Sequence, residues 1–139
     1  MRWWQNIEIW YYRVFNIKFA IISAVFNGGV VMVMNREYGF AVLLRAGTSQ
    51  AVSSFFSTGV TARIVQHFSP IKNPMRSYAL GSMIPAIMTL IMSLGAHLLN
   101  HTPKPLWNAV PATLVSLITS FGTNFITRRG HLRSQDYPL

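Results

Sequence analysis

The sequence predicts an all-α integral membrane protein, with four transmembrane helices in two hairpins and an amphipathic interfacial helix ahead of them. Three observations predict it. Of the 139 residues, 51% are hydrophobic and only 11% are charged, whereas a soluble domain carries about 25% charged residues. Four apolar stretches, each near the ~20 residues that a bilayer crossing needs, fill most of the chain. Cations alternate between the connections. Arg2, Arg13 and Lys18 precede the first stretch; Arg63, Lys72 and Arg76 lie at or between the second and third; Arg128, Arg129 and Arg133 follow the fourth. The other two connections hold only Arg36, beside Glu37, and Lys104. This alternation places both termini in the cytoplasm. It makes the net charge of +9 a topology signal and an attraction to anionic headgroups of the cytoplasmic leaflet, not a nucleic-acid footprint. A bacterial-type inner membrane or its equivalent is the expected location.

Residues 1–18 read as the interfacial helix. Trp3, Ile7, Trp10, Tyr11, Val14 and Phe15 recur at helical spacing, with Arg2, Gln5, Arg13 and Asn16 between them. Trp and Tyr favour the headgroup level, and Arg favours an anionic surface. The segment runs into the first span without a convincing cleavage site, which argues against a signal peptide. That span, 19–34, carries Ala20, Ala24 and Gly28 at the small-xxx-small spacing of packed membrane helices. The short connection at 35–38 then folds it against the second span.

The second span, 39–66, is the least apolar of the four. Wound at about 100° per residue, it gathers Ser49, Gln50, Ser53, Ser57 and Thr61 on one arc, with Arg45 at its edge. Val52, Phe55 and Phe56 lie opposite. A polar arc in hydrocarbon has to meet other helices, headgroups or water. It is therefore either a packing face or a polar path or headgroup groove, with Arg45 as an anion or lipid-phosphate contact. Arg45 also has structural options, snorkelling to the outer interface or a weak ion pair with Glu37, eight residues back.

Ser69-Pro70 and Asn73-Pro74 break the chain between hairpins. In the third span, 78–99, Ser82, Ala86, Thr89 and Ser93 form one face, and Pro85 should kink the helix near its cytoplasmic end. Pro103 and Pro105 end it. The fourth span, 106–127, opens with Trp107 at the outer interface and aligns Ala112, Ser116, Ser120 and Asn124 on one arc. Residues 128–139 form a basic, loosely held cytoplasmic tail. A weak internal repeat is also visible, Ala20, Ile21, Ser23 and Gly29 matching Ala86, Ile87, Thr89 and Gly95.

Chemistry is sparse. There are no cysteines, and the acidic residues are Glu8, Glu37 and Asp136, all outside the spans. This argues against thiolate sites, the membrane carboxylate of a proton-coupled exporter and the carboxylate cluster of a metal-dependent lipid-phosphate enzyme. His97 and His101, four apart, have the spacing to hold a metal or face a haem, but no carboxylate or cysteine is near them in sequence. No cofactor and no enzymatic activity are expected. The expectation is a non-catalytic accessory or assembly subunit of a larger membrane complex, with other membrane subunits or its own copies as partners. The alternative is a small oligomeric transporter, channel or lipid-binding protein that uses the polar arc of the second span. Haem or metal binding through His97 and His101 comes third.

Overall fold

The structure, a computed structural model, describes the backbone of residues 16–136 and the side chains of residues 16–130. The expected interfacial helix, with Trp3, Trp10 and Tyr11, lies almost wholly outside the described residues. Everything described is helix or tight connection, with no strand among the described residues. Four long helices follow in order: α1 (Ile17–Met34), α2 (Phe40–Phe68), α3 (Pro74–Leu99) and α4 (Pro105–Asp136). Three of them, α1, α3 and α4, are long and apolar enough to cross a membrane. The hydroxyls, Gln50, Arg45 and Arg63 lower the apolar character of α2.

Local chemistry sets the helix ends. The Asn16 side chain accepts the Phe19 N–H at 3.4 Å and caps α1. Asn73 does the same for Arg76 at 3.2 Å, with Pro74 in the first turn, where its missing N–H costs nothing. Between α1 and α2 a short 3-10 turn, Arg36–Tyr38, leads into Gly39 at φ +86, a left-handed conformation open to glycine. Pro85 does not simply bend α3. It follows a π turn at Ala79–Met83, whose wider winding accommodates the missing Pro85 N–H. The helical backbone of α4 continues to Asp136, well into the segment that composition alone marks as a tail.

The packing places α2 at the centre, against α1, α3 and α4. The α1–α2 hairpin is the closest pair. A Cβ on Gly28 would lie 2.9 Å from Ala51 Cβ and 3.1 Å from the Gly47 carbonyl oxygen, so the two backbones touch where Ala20 and Gly28 form the small-residue seam. Lower down, the Asn16 N–H donates to the Gly59 carbonyl at 2.9 Å, which fixes the antiparallel register. Helices α3 and α4 form the second hairpin, joined by the Thr89 to Ser116 hydrogen bond at 3.0 Å. Contact between α1 and α4 is slight.

The burial pattern is inverted relative to a soluble bundle. Among the described residues the buried apolar side chains are Ala or Val, apart from Pro85, while Gln50, His97, Asn35, Asn108, Asn124 and a run of serines and threonines are buried with them. Ile22, Val25, Ile91, Ile118 and Ile126 face outward, each at least 66% exposed. Lipid, unlike water, imposes no penalty on such an exterior, and small residues let helices approach closely.

Candidate functional site

Three polar clusters hold the helices together, and a fourth polar surface is left incomplete. The first cluster lies in the half of the bundle that holds the α1–α2 and α3–α4 turns, around Gln50 on α2. Its Nε2 donates to Ser54 Oγ at 2.8 Å. Its Oε1 accepts from Ser93 Oγ on α3 at 2.6 Å and faces His97 Nε2 at 2.9 Å. An amide oxygen only accepts, so His97 carries its proton on Nε2. The other ring nitrogen, Nδ1, then accepts from the Thr102 hydroxyl at 2.9 Å. Gln50 and His97 are fully buried, and no atom of this cluster is left without a partner.

The second cluster joins the C-terminal end of α1 to the N-terminal end of α4. Asn35 Nδ2 donates to Asn108 Oδ1 at 2.8 Å and to the Val31 carbonyl at 2.8 Å. Asn108 in turn donates to the Pro103 carbonyl at 2.7 Å. The third lies at the opposite end of the bundle, beside the loop between α2 and α3. Asn124 on α4 accepts from Ser77 Oγ at 3.1 Å and donates to the Ser77 carbonyl at 2.7 Å. Gly81 makes room for it, since a Cβ there would sit 2.2 Å from Asn124 Nδ2. Arg128 donates to the carbonyls of Ile71 and Lys72 in the loop between the hairpins, to the latter at 2.8 Å.

The incomplete surface lies between α1 and α4, where contact is slight. A groove of about 410 Å³ opens there, with α2 and α3 as its floor. Its walls are apolar, with Phe19, Ile22 and Phe26 on one side and Val115 and Ile126 on the other. The floor is polar. Thr58 donates to Ser23 Oγ at 2.7 Å, and Asn27 Nδ2 donates to the same oxygen at 3.0 Å. The other amide atom, Asn27 Oδ1, is buried without a partner, although the residue is 97% buried and lines the groove. Ser116 and Ser120 of α4 face the same space.

The sequence-derived candidates are placed as follows. Ser49, Gln50, Ser53, Ser57 and Thr61 are all buried. Four of these five are hydroxyls bonded to carbonyls of their own helix: Ser49 to Arg45 at 2.7 Å, Ser53 to Gln50 at 3.1 Å, Ser57 to Ser54 at 3.4 Å and Thr61 to Thr58 at 3.4 Å. Only Gln50 reaches across to another helix, and only Thr61 also lines the groove. Arg45 is exposed, and no ion pair joins it to Glu37 among the described residues. His97 and His101 are not brought together. His97 is enclosed by Gln50 and Thr102, while His101 is exposed beyond the helix end at φ +49. Trp107 is 66% exposed. It borders a shallow depression with Arg36, Glu37, Tyr38 and Lys104. There the Tyr38 hydroxyl, by hydrogen bonding, raises the Lys104 ammonium above its usual range.

Sequence reasoning missed the pairings. It placed Gln50 and His97 on separate helices but did not join them. Nor did it give Asn27 a role. The available signal was an amide or imidazole within an apolar run, which in a bilayer needs a partner. Comparison of the chain with models of known families, with curated proteins and with solved structures finds no match.

Proposed function

We propose that the chain is a four-span integral membrane protein, both termini cytoplasmic, acting as a non-catalytic accessory or assembly subunit in a bacterial-type inner membrane or its equivalent. Four spans are supported by connectivity. Helix α2 is tied to α1 by five residues and to α3 by five, Ser69–Asn73, and runs antiparallel to α1. If α1 and α3 cross the bilayer, α2 crosses back between them. Its length of about 43 Å at 1.5 Å per residue is sufficient. Its polar arc is turned inward, and exposed Arg45 lies near enough to the helix end to snorkel. The orientation rests on the alternation of cations, which also favours anionic lipid at the cytoplasmic face.

One observation carries the accessory-subunit reading. Most polar side chains buried in the bundle are hydrogen bonded within it, as in the Gln50, Ser93 and His97 cluster, with Asn27 Oδ1 and Ser82 Oγ as exceptions. They serve cohesion, and what remains for function is the outer surface. Native mass spectrometry of the protein, gently extracted from its own membrane, tests this. A stoichiometric complex with other polypeptides is expected. A lone chain or pure homo-oligomer would overturn the reading. The groove between α1 and α4 favours a second reading, a lipid-binding protein, with α2 supplying Thr58, Thr61 and Val65 to the floor.

A further inference from the structure

We infer that the groove between α1 and α4 takes a single-chain anionic lipid that carries a hydroxyl partway along its chain, entering from the cytoplasmic leaflet. This rests on the membrane placement and the lipid-binding reading above, and not on the accessory-subunit reading.

The shape of the groove selects a lipid over a partner helix. A transmembrane helix needs a channel along the full height of the bundle. This groove is closed above, where Asn35 of α1 is hydrogen bonded to Asn108 of α4 at 2.8 Å. It extends from Asn27 and Ala112 down to Phe19, Gln66 and Ile126. On α1 the distance from Phe19 to Asn27 is about 12 Å at 1.5 Å per residue, roughly half the ~30 Å hydrocarbon core and so about one leaflet deep. The volume of about 410 Å³ lies in the range of small-molecule sites.

The chemistry of the groove selects the hydroxyl. A plain acyl chain would place methylenes against the Asn27 amide and the Ser116 and Ser120 hydroxyls, leaving the buried Asn27 Oδ1 as it is, without a partner. Turning the amide over exchanges the unpaired oxygen for an unpaired NH₂ and leaves the same deficit. A ligand hydroxyl both donates and accepts, so it answers either orientation, with a small rotation of the side chain opening the contact. The mouth selects the charge. Gln66 lines the lower end and accepts from Arg63 Nη1 at 2.7 Å, and Lys18 is exposed beside Phe19. Both cations lie at the end where an anionic headgroup would rest.

12-Hydroxystearate fits this description. Its hydroxyl is eleven bonds from the carboxyl carbon, about 13 Å at roughly 1.2 Å per extended bond, close to the span from Phe19 to Asn27, and the remaining end of the chain turns out through the open side of the groove into the bilayer. The test is native mass spectrometry of the full chain released from nanodiscs that contain equimolar stearate and 12-hydroxystearate. The hydroxylated adduct should exceed the stearate adduct about tenfold, the factor one buried hydrogen bond supplies. Asn27→Leu should bring the ratio near one while stearate still binds. Thr119→Phe, placed on the exposed rim of the groove, should remove both adducts, and thermal unfolding of each variant should report a folded bundle. Equal adducts in the wild type would make this a plain acyl groove and overturn the hydroxyl assignment. A tenfold preference that survives Asn27→Leu would overturn the role of Asn27. Absence of both adducts would overturn the lipid-binding reading itself. Loss of a co-purifying polypeptide in Thr119→Phe, with no lipid adduct in the wild type, would make the groove a protein dock instead.

Discussion

The two halves of the bundle, one holding the α1–α2 and α3–α4 turns and the other the α2–α3 loop, are built from the same residue types and use them differently. In the first half an amide, an imidazole and hydroxyls meet across helices, and the Gln50 cluster is complete. Asn35 and Asn108 also bring α1 to α4 there. In the half that holds the α2–α3 loop, α1 and α4 diverge, and the amide of Asn27 is left half-satisfied in an open groove. The side-chain chemistry is constant, and the helix separation decides its use. Where two helices are close enough for direct hydrogen bonds, polar groups become cohesion. Where they are not, the same groups become a surface that a third molecule can complete.

Three substitutions break or sharpen this contrast. The largest effect is expected from Gln50→Leu. It leaves Ser54, Ser93 and His97 without their shared partner in a buried site, and should destabilise the bundle by about 3 kcal/mol. Unfolding in mixed micelles would measure this, and a loss below about 1 kcal/mol would mean that the Gln50 cluster is not a cohesive unit. A smaller effect is expected from Asn108→Ala, which cuts the link between α1 and α4. It should cost about 1 kcal/mol, the scale of one interhelical hydrogen bond in a membrane protein. It should also increase the mobility of spin labels on the linked ends of these helices, making that half resemble the other. The smallest effect is expected from Asn27→Leu. Removing an unpaired buried polar atom at similar volume should leave stability within about 0.5 kcal/mol of the wild type, or raise it. A marked loss would show that Asn27 is a cohesive residue after all, and would erase the contrast.

Much of the fold was legible in the sequence, because a bilayer restricts the options so strongly. The apolar runs give three helices fit to cross a membrane. The polar arc on α2 is buried residue for residue, from Ser49 to Thr61, because the helical repeat of 3.6 fixes which side chains share a face. Ala20 and Gly28 lie at the close contact with α2. What periodicity does not contain is the stagger and separation of one helix relative to the next. It therefore could not join Gln50 to His97, 47 positions apart, or Asn35 to Asn108, 73 apart. It also could not tell that Arg45, at the edge of the arc, is exposed while Ser49, one turn on, is buried. The i, i+4 spacing of His97 and His101 promised a shared face. The helix ends at Leu99, and a left-handed residue turns His101 away. The disturbance at Pro85 was visible, but not its form as a π turn at Ala79–Met83.

The contacts of Arg128 and Asn124 impose an order on biosynthesis. The carbonyls of Ile71 and Lys72 and the Ser77 peptide are gripped by side chains that lie about fifty residues further on. A chain emerging from the ribosome makes its N-terminal parts first. When α3 enters the bilayer, the turn ahead of it still lacks its clamp, and Gly81 still faces the place that Asn124 will occupy. Helix α4 therefore acts as a latch on the segment between the first and second hairpins, which is complete only once α4 has been made.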